Sequence, residues 1–308
     1  MAKQYRQIIG DVYNKPWAIM PGKLEAICGV IEARVEGRAA AMTDAEIDRM
    51  AADNAPPEHQ AGQSIAVLPL WGTLHQHGSM MSRYSGGTST VQFAKVFREA
   101  INDPEIGTVV IHANGPGGTV FGCQECSDLI YNSRSTKKII TAVDPRAASA
   151  TYWIASSASE MYVTPSGEVG SIGVYMMHRD VSKAEEMEGV KTSLIAIPSG
   201  KVLGNPYEPL PDEFRAKIME ENKVYYSAFV EGVARNRGKT VGTVKETFGG
   251  GGMVLAEKAA ALGMVDGVKT FDQVIDDIKK GAGVSTSSRR TSASRRRELQ
   301  LAQAENQA

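Results

Sequence analysis

The 308-residue chain is poor in cysteine. It has three, Cys28, Cys123 and Cys126. An odd and low number argues against a disulfide-stapled scaffold and fits a reducing compartment. Net charge is scarce as well: 34 lysines and arginines stand against 35 aspartates and glutamates, a formal −1. Bulk charge therefore points to no nucleic acid and no membrane surface as a partner. No uninterrupted apolar run approaches the ~18 residues that a membrane-crossing helix needs. The opening MAKQYRQIIGDVYNKPW lacks the apolar core of a signal peptide. A chain with these absences is expected to stay in the cytoplasm where it is made. What it does have is 42% hydrophobic and 22% charged residues, the balance of a globular protein with a sizeable core. Its length allows one large domain or two ordinary ones.

Residues 1–62 read as a helical N-terminal extension and a linker. Lys23 to Arg38 carries Leu24, Ile27, Cys28, Ile31 and Val35 at helical spacing. The polar MTDAEIDRMAADNAPPEHQAGQ that follows reads as a short helix and a connection. Residues 63–280 alternate between strand-like and helix-like runs. Strands are expected at 64–74, 107–113, 137–143, 160–165, 170–178 and 191–197. Helices are expected at 88–104, 122–135, 181–190 and 211–238, and over the stretch AVDPRAASATYWIASSASEMYV at 142–163. Such alternation predicts an α/β domain of parallel βαβ units. The tail, 281–308, is basic at +3 and rich in serine and threonine, and reads as disordered to about residue 294. It is a solvated tail or a linker to an assembly segment.

The 142–163 stretch holds a serine in a telling place. Ser149 follows Ala147 and Ala148 and precedes Ala150, where a loop enters an apolar helix. Small neighbours leave room for a reacting group, but a serine hydroxyl needs a base to take its proton. The sequence has no histidine within twenty residues on either side of Ser149. A second motif, IHANGPGGTVFG at 111–122, puts glycines between a β-rich run and a helix. It is neither a Walker A loop nor a GxGxxG fingerprint. Its backbone N–H groups either form a tight turn or line an oxyanion hole. The third motif is IPSGKVLGNPYEPLPDE at 197–213, in which Lys201 sits on a loop of defined path. A loop lysine is ordinarily a solvated charge. One desolvated against apolar neighbours loses its proton more readily and can serve as a general base.

Other candidates carry less. His178 lies 29 residues after Ser149, at the end of a strand, and a histidine triad would need it to fold back. Asp144 precedes a proline and closes a turn. His75 and His77 have no carboxylate cluster beside them to complete a metal site. Cys123 and Cys126 form a lone C-x-x-C, read as small helix-facing residues. Ser156, Ser157 and Ser159 read as structural. Nothing in the sequence calls for a metal or a cofactor.

Three of these elements, in order, resemble the signal-peptide-peptidase-A family of serine–lysine proteases: the PGG turn at 116–118, Ala-Ala-Ser at 147–149, and Gly-Ser-Ile-Gly-Val at 170–174. The Lys-Val-x-Gly-Asn-Pro-Tyr stretch at 201–207, and NKPWAIMPGKLEAICGVIEAR near the start, look like the head-maturation proteases of tailed phages, the capsid-assembly C-protein group. GMVLAEKAAALGMVDGV at 252–268 resembles the closing helix-turn of the Clp/crotonase fold. The resemblance covers about residues 12–280 and implies a ββα-superhelix, a parallel sheet flanked by helices. It implies Ser149 as nucleophile and Lys201, 52 residues later, as base. Gly118, with Gly117 beside it, and the N–H of Ala150 become the oxyanion hole. The implied substrates are scaffold, portal and capsid chains, cut inside the procapsid in the host cytoplasm by a homo-oligomer, often a ring. Such a substrate lies as an extended strand along the cleft edge, with the strand near 64–84 as its expected neighbour. Three alternatives differ from this: a catalytically silent assembly protein of the same fold, a signal-peptide-peptidase-like host protease, and a crotonase-like acyl-CoA enzyme.

Overall fold

Six strands of the large central sheet run parallel to one another, and helices cover both of its faces. The computed structural model describes residues 12–13, 15–35, 64–78 and 87–281. The short helix and linker expected over 42–63, and the tail expected beyond 281, lie outside the described residues.

The chain enters with strand β1 (Trp17–Ile19) and helix α1 (Pro21–Val35). Then come β2 (Ile65–Trp71), the two-residue β3 (Leu74–His75) and β4 (Thr88–Ser89), and α2 (Thr90–Asn102). Helix α2 starts where the Thr/Ser cluster predicts: Ser89 caps it, its side chain accepting from the Gln92 N–H. Next are β5 (Thr108–Gly115), β6 (Gly117–Thr119), α3 (Cys123–Asn132) and the long β7 (Lys138–Ala148). The short α4 (Ala150–Ala155) leads to β8 (Glu160–Val163) and β9 (Glu168–Gly170). After an irregular arm containing α5 (Ser182–Met187), the 26-residue α6 (Asp212–Arg237) returns to the body. The chain closes with α7 (Val241–Thr247), β10 (Met253–Leu255), α8 (Ala256–Leu262), β11 (Gly267–Val268) and α9 (Phe271–Gly281).

Among the described residues two sheets form. The larger runs β10-β9-β7-β5-β2, with β8 and β11 alongside. Strand β7 carries both neighbours at one edge: Ile140–Val143 pair with β8, Arg146–Ala148 with β9. The smaller runs β1-β6-β3-β4. Both faces of the large sheet are covered, as a parallel sheet requires. Val109, Ile111 and Ala113 of β5 face a core built with Phe93 and Phe97 of α2, Ile130 of α3 and Phe229 of α6. Val110, between them, joins Ile140 and Ala142 against Phe271, Val274 and Ile275 of α9. The period of two in β5 thus divides the two layers.

Three expectations fail here for identifiable reasons. Residues 142–148, read as the start of a helix, continue β7, because the middle of the sheet accepts the small Ala142, Ala147 and Ala148 between neighbouring strands. Asp144 therefore lies within a strand and closes no turn. Residues 171–178 hold one bridge, Trp17 with Tyr175, in place of a full strand. Residues 191–197 form no strand, since the arm leaves the sheet and offers them no partner among the described residues. Ile195 and Ile197 there are 98% and 96% exposed.

Candidate active site

Ser149 sits at the junction that ends β7 and begins α4, with φ 52 and ψ −122. A side-chain-bearing residue rarely takes a positive φ. Here that backbone turns the chain sharply from strand to helix. The turn is held by the Ser149 N–H donating to the Gly170 carbonyl at 2.7 Å, and by the Trp153 N–H donating to the Ser149 carbonyl at 2.9 Å. Ala147, Ala148 and Ala150 around it are fully buried, so larger side chains have no room. The Ser149 hydroxyl faces the Gly173 carbonyl at 3.5 Å, the outer limit of a hydrogen bond. It is weakly held and 1% exposed.

Helix α4 is fixed from behind. The Trp153 ring stacks on Phe229 of α6 with centroids 4.7 Å apart, and the Tyr152 hydroxyl donates to the Met264 carbonyl at 2.9 Å. Buried Asn236 donates to Ser127 and to Ser156, each at 3.1 Å. Arg134 donates to the carbonyls of Ser157 at 2.7 Å and Asn236 at 3.0 Å. These bonds satisfy carbonyls that a helix end leaves open and assign Ser156 and Ser157 to the scaffold.

The glycine turn packs directly on Ser149. Gly117 has φ 101. A methyl group there would lie 2.9 Å from Ser149 Cβ and from Ile19 Cα, and would collide with the Ala18 carbonyl. At Gly118 it would strike the backbone of Leu74. Both positions exclude a side chain. Their N–H groups point differently. That of Gly117 donates to Thr151 Oγ1 at 3.2 Å and pins the turn to α4. Gly118 stands opposite Ala18 in the antiparallel β1–β6 ladder. Two bonds flank that pair: Val120 N–H to the Pro16 carbonyl and Met20 N–H to the Pro116 carbonyl. By the alternation of such a ladder, Ala18 and Gly118 are the hydrogen-bonded pair between them. Ala150 opens α4, in the first turn where N–H groups lack intrahelical acceptors.

Lys201 lies apart from this group. It sits on a single 3-10 turn, Ser199–Val202, and is exposed. The loop beyond is well formed: Asn205 donates to the Val202 carbonyl at 3.0 Å and accepts from the Tyr207 N–H at 2.9 Å, and Gly204, at φ 76, packs on the Phe214 ring. Among the described residues no hydrogen bond joins Lys201 to Ser149. The structure thus brings Ser149, Gly117, Gly118 and Ala150 together within one chain and leaves Lys201 on the outer arm.

Among the described residues, the histidines and cysteines stay out of the group. His178 is partly buried on the arm and makes no hydrogen bond to Ser149. His75 is buried edge-on to Trp17, ring centroids 6.3 Å apart, and burial lowers its pKa to about 4. His77 is exposed. Cys123 and Cys126 are free and buried in the core. Burial raises both thiols, Cys126 to about 12, which keeps them protonated and unreactive.

One participant was missed from sequence. β1 lies against the turn, while the expected neighbour near 64–84 divides: β2 pairs with β5 within the large sheet, β3 lines the side of Gly118 away from β1, and residues 79–84 lie outside the described residues. The available signal was the apolar triplet Trp17-Ala18-Ile19, framed by Pro16 and Pro21, a short run bounded by residues that stop helices.

The sequence matches a known family. The profile described as Peptidase family S49 matches residues 132–285, half of the chain, including Ser149 and Lys201. Capsid assembly protease C of Escherichia phage lambda is 34% identical over 61% of this chain and 43% of its own length. Head-tail preconnector protein GP5 of Enterobacteria phage P21 is 29% identical over 80% of this chain and 52% of its own. The chain spans about half the length of these curated relatives. Among solved structures, a mutant of the 1510-N membrane-bound stomatin-specific protease aligns with a TM-score of 0.45 at 15% identity, over 73% of this chain and 87% of that one. No helix among the described residues is long and apolar enough to cross a membrane.

Proposed function

From the premise that this chain belongs to peptidase family S49, we propose that it is a serine endopeptidase with a Ser149–Lys201 dyad, acting in phage capsid maturation. The observation that carries the reading is the strained turn at Ser149, pressed against Gly117 at the start of α4. Neutral Lys201 takes the Ser149 proton as Oγ attacks a peptide carbonyl. The N–H groups of Gly118 and Ala150 hold the oxyanion. The protonated lysine then gives its proton to the departing amine, leaving an acyl-enzyme on Ser149. Water, deprotonated by the same lysine, attacks the ester and frees the new carboxyl end. Preorganised N–H donors of this kind contribute on the order of 10²–10³ in rate each.

Lys201 becomes such a base only when taken out of water. On the single chain it is exposed, on an arm that also exposes Met187, Ile195 and Ile197. An arm of this kind is completed by packing against a second copy of the chain, which supports a homo-oligomer as the working form. The names of the phage relatives, a capsid assembly protease and a head-tail preconnector protein, support scaffold, portal or capsid chains as substrates. The place of action is then the procapsid, in the host cytoplasm.

The exposed lysine also fits a second reading, a catalytically silent assembly protein. Labelling with a fluorophosphonate followed by peptide mapping separates the two. The protease carries the label on Ser149, cleaves casein and loses both properties in Ser149→Ala with oligomer size unchanged. The silent protein takes up no label in any form of the chain.

A further inference from the structure

A nucleophile has to be reached, yet Ser149 is 1% exposed. Packed on the same Gly117 as Ser149 is the chain's own strand β1. β1 runs antiparallel to β6, with Trp17, Ala18 and Ile19 opposite Thr119, Gly118 and Gly117. Its other edge is also taken: Trp17 exchanges two backbone hydrogen bonds with Tyr175, at 2.9 and 3.0 Å. β1 thus fills a slot between the glycine turn and the segment that follows Ser171. Gly173 of that segment receives the Ser149 hydroxyl. The Ala18 carbonyl and Ile19 Cα meet Gly117 on the side where Ser149 Cβ also lies.

We propose that β1 is a built-in occupant of the peptide-strand slot beside Ser149, and that the enzyme is latent until residues 16–20 leave it. The inference rests on the serine endopeptidase reading above. Two physical points carry it. An extended peptide held by main-chain bonds needs an unpaired strand edge, and the β6 edge facing Ser149 is already paired. Further, the Gly118 N–H assigned to the oxyanion is bonded to the Ala18 carbonyl, and one N–H cannot fully serve both.

The occupant is anchored by side chains that play no part in the proposed chemistry. Trp17 and Ile19 turn away from the main core into a separate cluster with Val12, Leu24 and Cys28, on which Tyr175 and Met177 pack. Ala18, between them, faces the main core. The Trp17 indole N–H donates to the Val12 carbonyl at 2.9 Å. Glu32 of α1 pairs with Arg179 on the arm and accepts from the Tyr13 hydroxyl at 2.7 Å. The cover is therefore clasped to the same arm that bears Lys201, so a partner chain that moves the arm also loosens the strand.

The test uses the full chain. Ala18→Pro removes the N–H that the ladder needs opposite Gly118. Arg179→Ala opens the clasp and leaves β1 intact, which guards against misfolding in the first variant. Fluorophosphonate labelling of Ser149 is followed by mass spectrometry, together with amide exchange of residues 116–120. The expected result is faster labelling in both variants, by about tenfold or more in Ala18→Pro, the reciprocal of the fraction of time the slot stands open. Exchange protection at 117–119 falls in parallel, and labelling vanishes when Ser149→Ala is added. If the variants label at the wild-type rate although protection has fallen, the slot was never closed: the cover is refuted and the nucleophile stands. Absence of label in every form after release of β1 refutes the nucleophile, and the cover with it.

Discussion

Gly117 and Ser149 are packed so closely that a single methyl group on the glycine would stand 2.9 Å from the serine Cβ. The two residues come from different crossings of the sheet, yet they behave as one unit: β5 delivers the turn, β7 delivers the serine, and the Thr151 hydroxyl bonds one to the other. Gly117→Ala therefore tests the site without touching its reacting atoms. The added Cβ meets backbone on one side and Ser149 on the other, at a φ that alanine disfavours. Stability should fall by about 2 kcal/mol or more. Peptidase activity per folded molecule should drop on the order of a hundredfold, as the turn and serine move apart. Denaturant melts and casein cleavage, measured together, check both. Unchanged activity would separate the glycine turn from the chemistry.

The proposed base is tested by Lys201→Arg. The substitution keeps a positive charge on the arm, but a guanidinium does not give up its proton and cannot serve as a base. Activity should fall roughly 10²–10⁴-fold, as far as in Lys201→Ala, with oligomer size retained. An active Lys201→Arg beside an inactive His178→Ala would transfer the role to the histidine.

The scaffold behind α4 makes a different prediction. Asn236→Ala removes an amide that donates to Ser127 and Ser156 inside the core. Such a loss costs about 1–3 kcal/mol. Urea denaturation should show it, while the fluorophosphonate rate of the folded fraction stays near wild type. A fall in that rate larger than the fall in folded protein would mean that Asn236 also orients Ser149.

Local signals in the sequence were enough for some features and silent on others. The β-rich run at 107–113 and the capped helix after Ser89 are dictated by nearby residues, and both form where expected. Ser149 was legible because small residues crowd it. Alanine alone, however, does not tell helix from central strand, so 142–148 was misread. Residues 191–197 have the composition of a strand, but a strand needs a partner, and the arm leaves them without one among the described residues. The seat of β1 was least legible. It pairs Trp17 with Thr119 across about a hundred residues, and no local rule registers such a contact. The position of Lys201 relative to Ser149 is of the same kind.

The neutral histidine under β1 gives the protein an acid limit. His75 is 7% exposed, packed edge-on to Trp17, and its pKa is lowered to about 4 by burial alone. In the unfolded chain an ordinary histidine titrates near 6.5. Between these two values the unfolded state binds the extra proton, so stability rises with pH across that window. The full contribution is present above about 6.5 and is lost progressively as pH falls towards about 4, for a total of roughly 3 kcal/mol. Denaturant midpoints measured from pH 7.5 down to 4 should follow this slope. In His75→Gln, which cannot charge, that part of the slope should disappear. Because His75 touches Trp17, exchange protection at 117–119 should fall in the same pH window in the wild type and stay flat in His75→Gln. If both proteins show the same acid slope, carboxylates set it and the histidine does not.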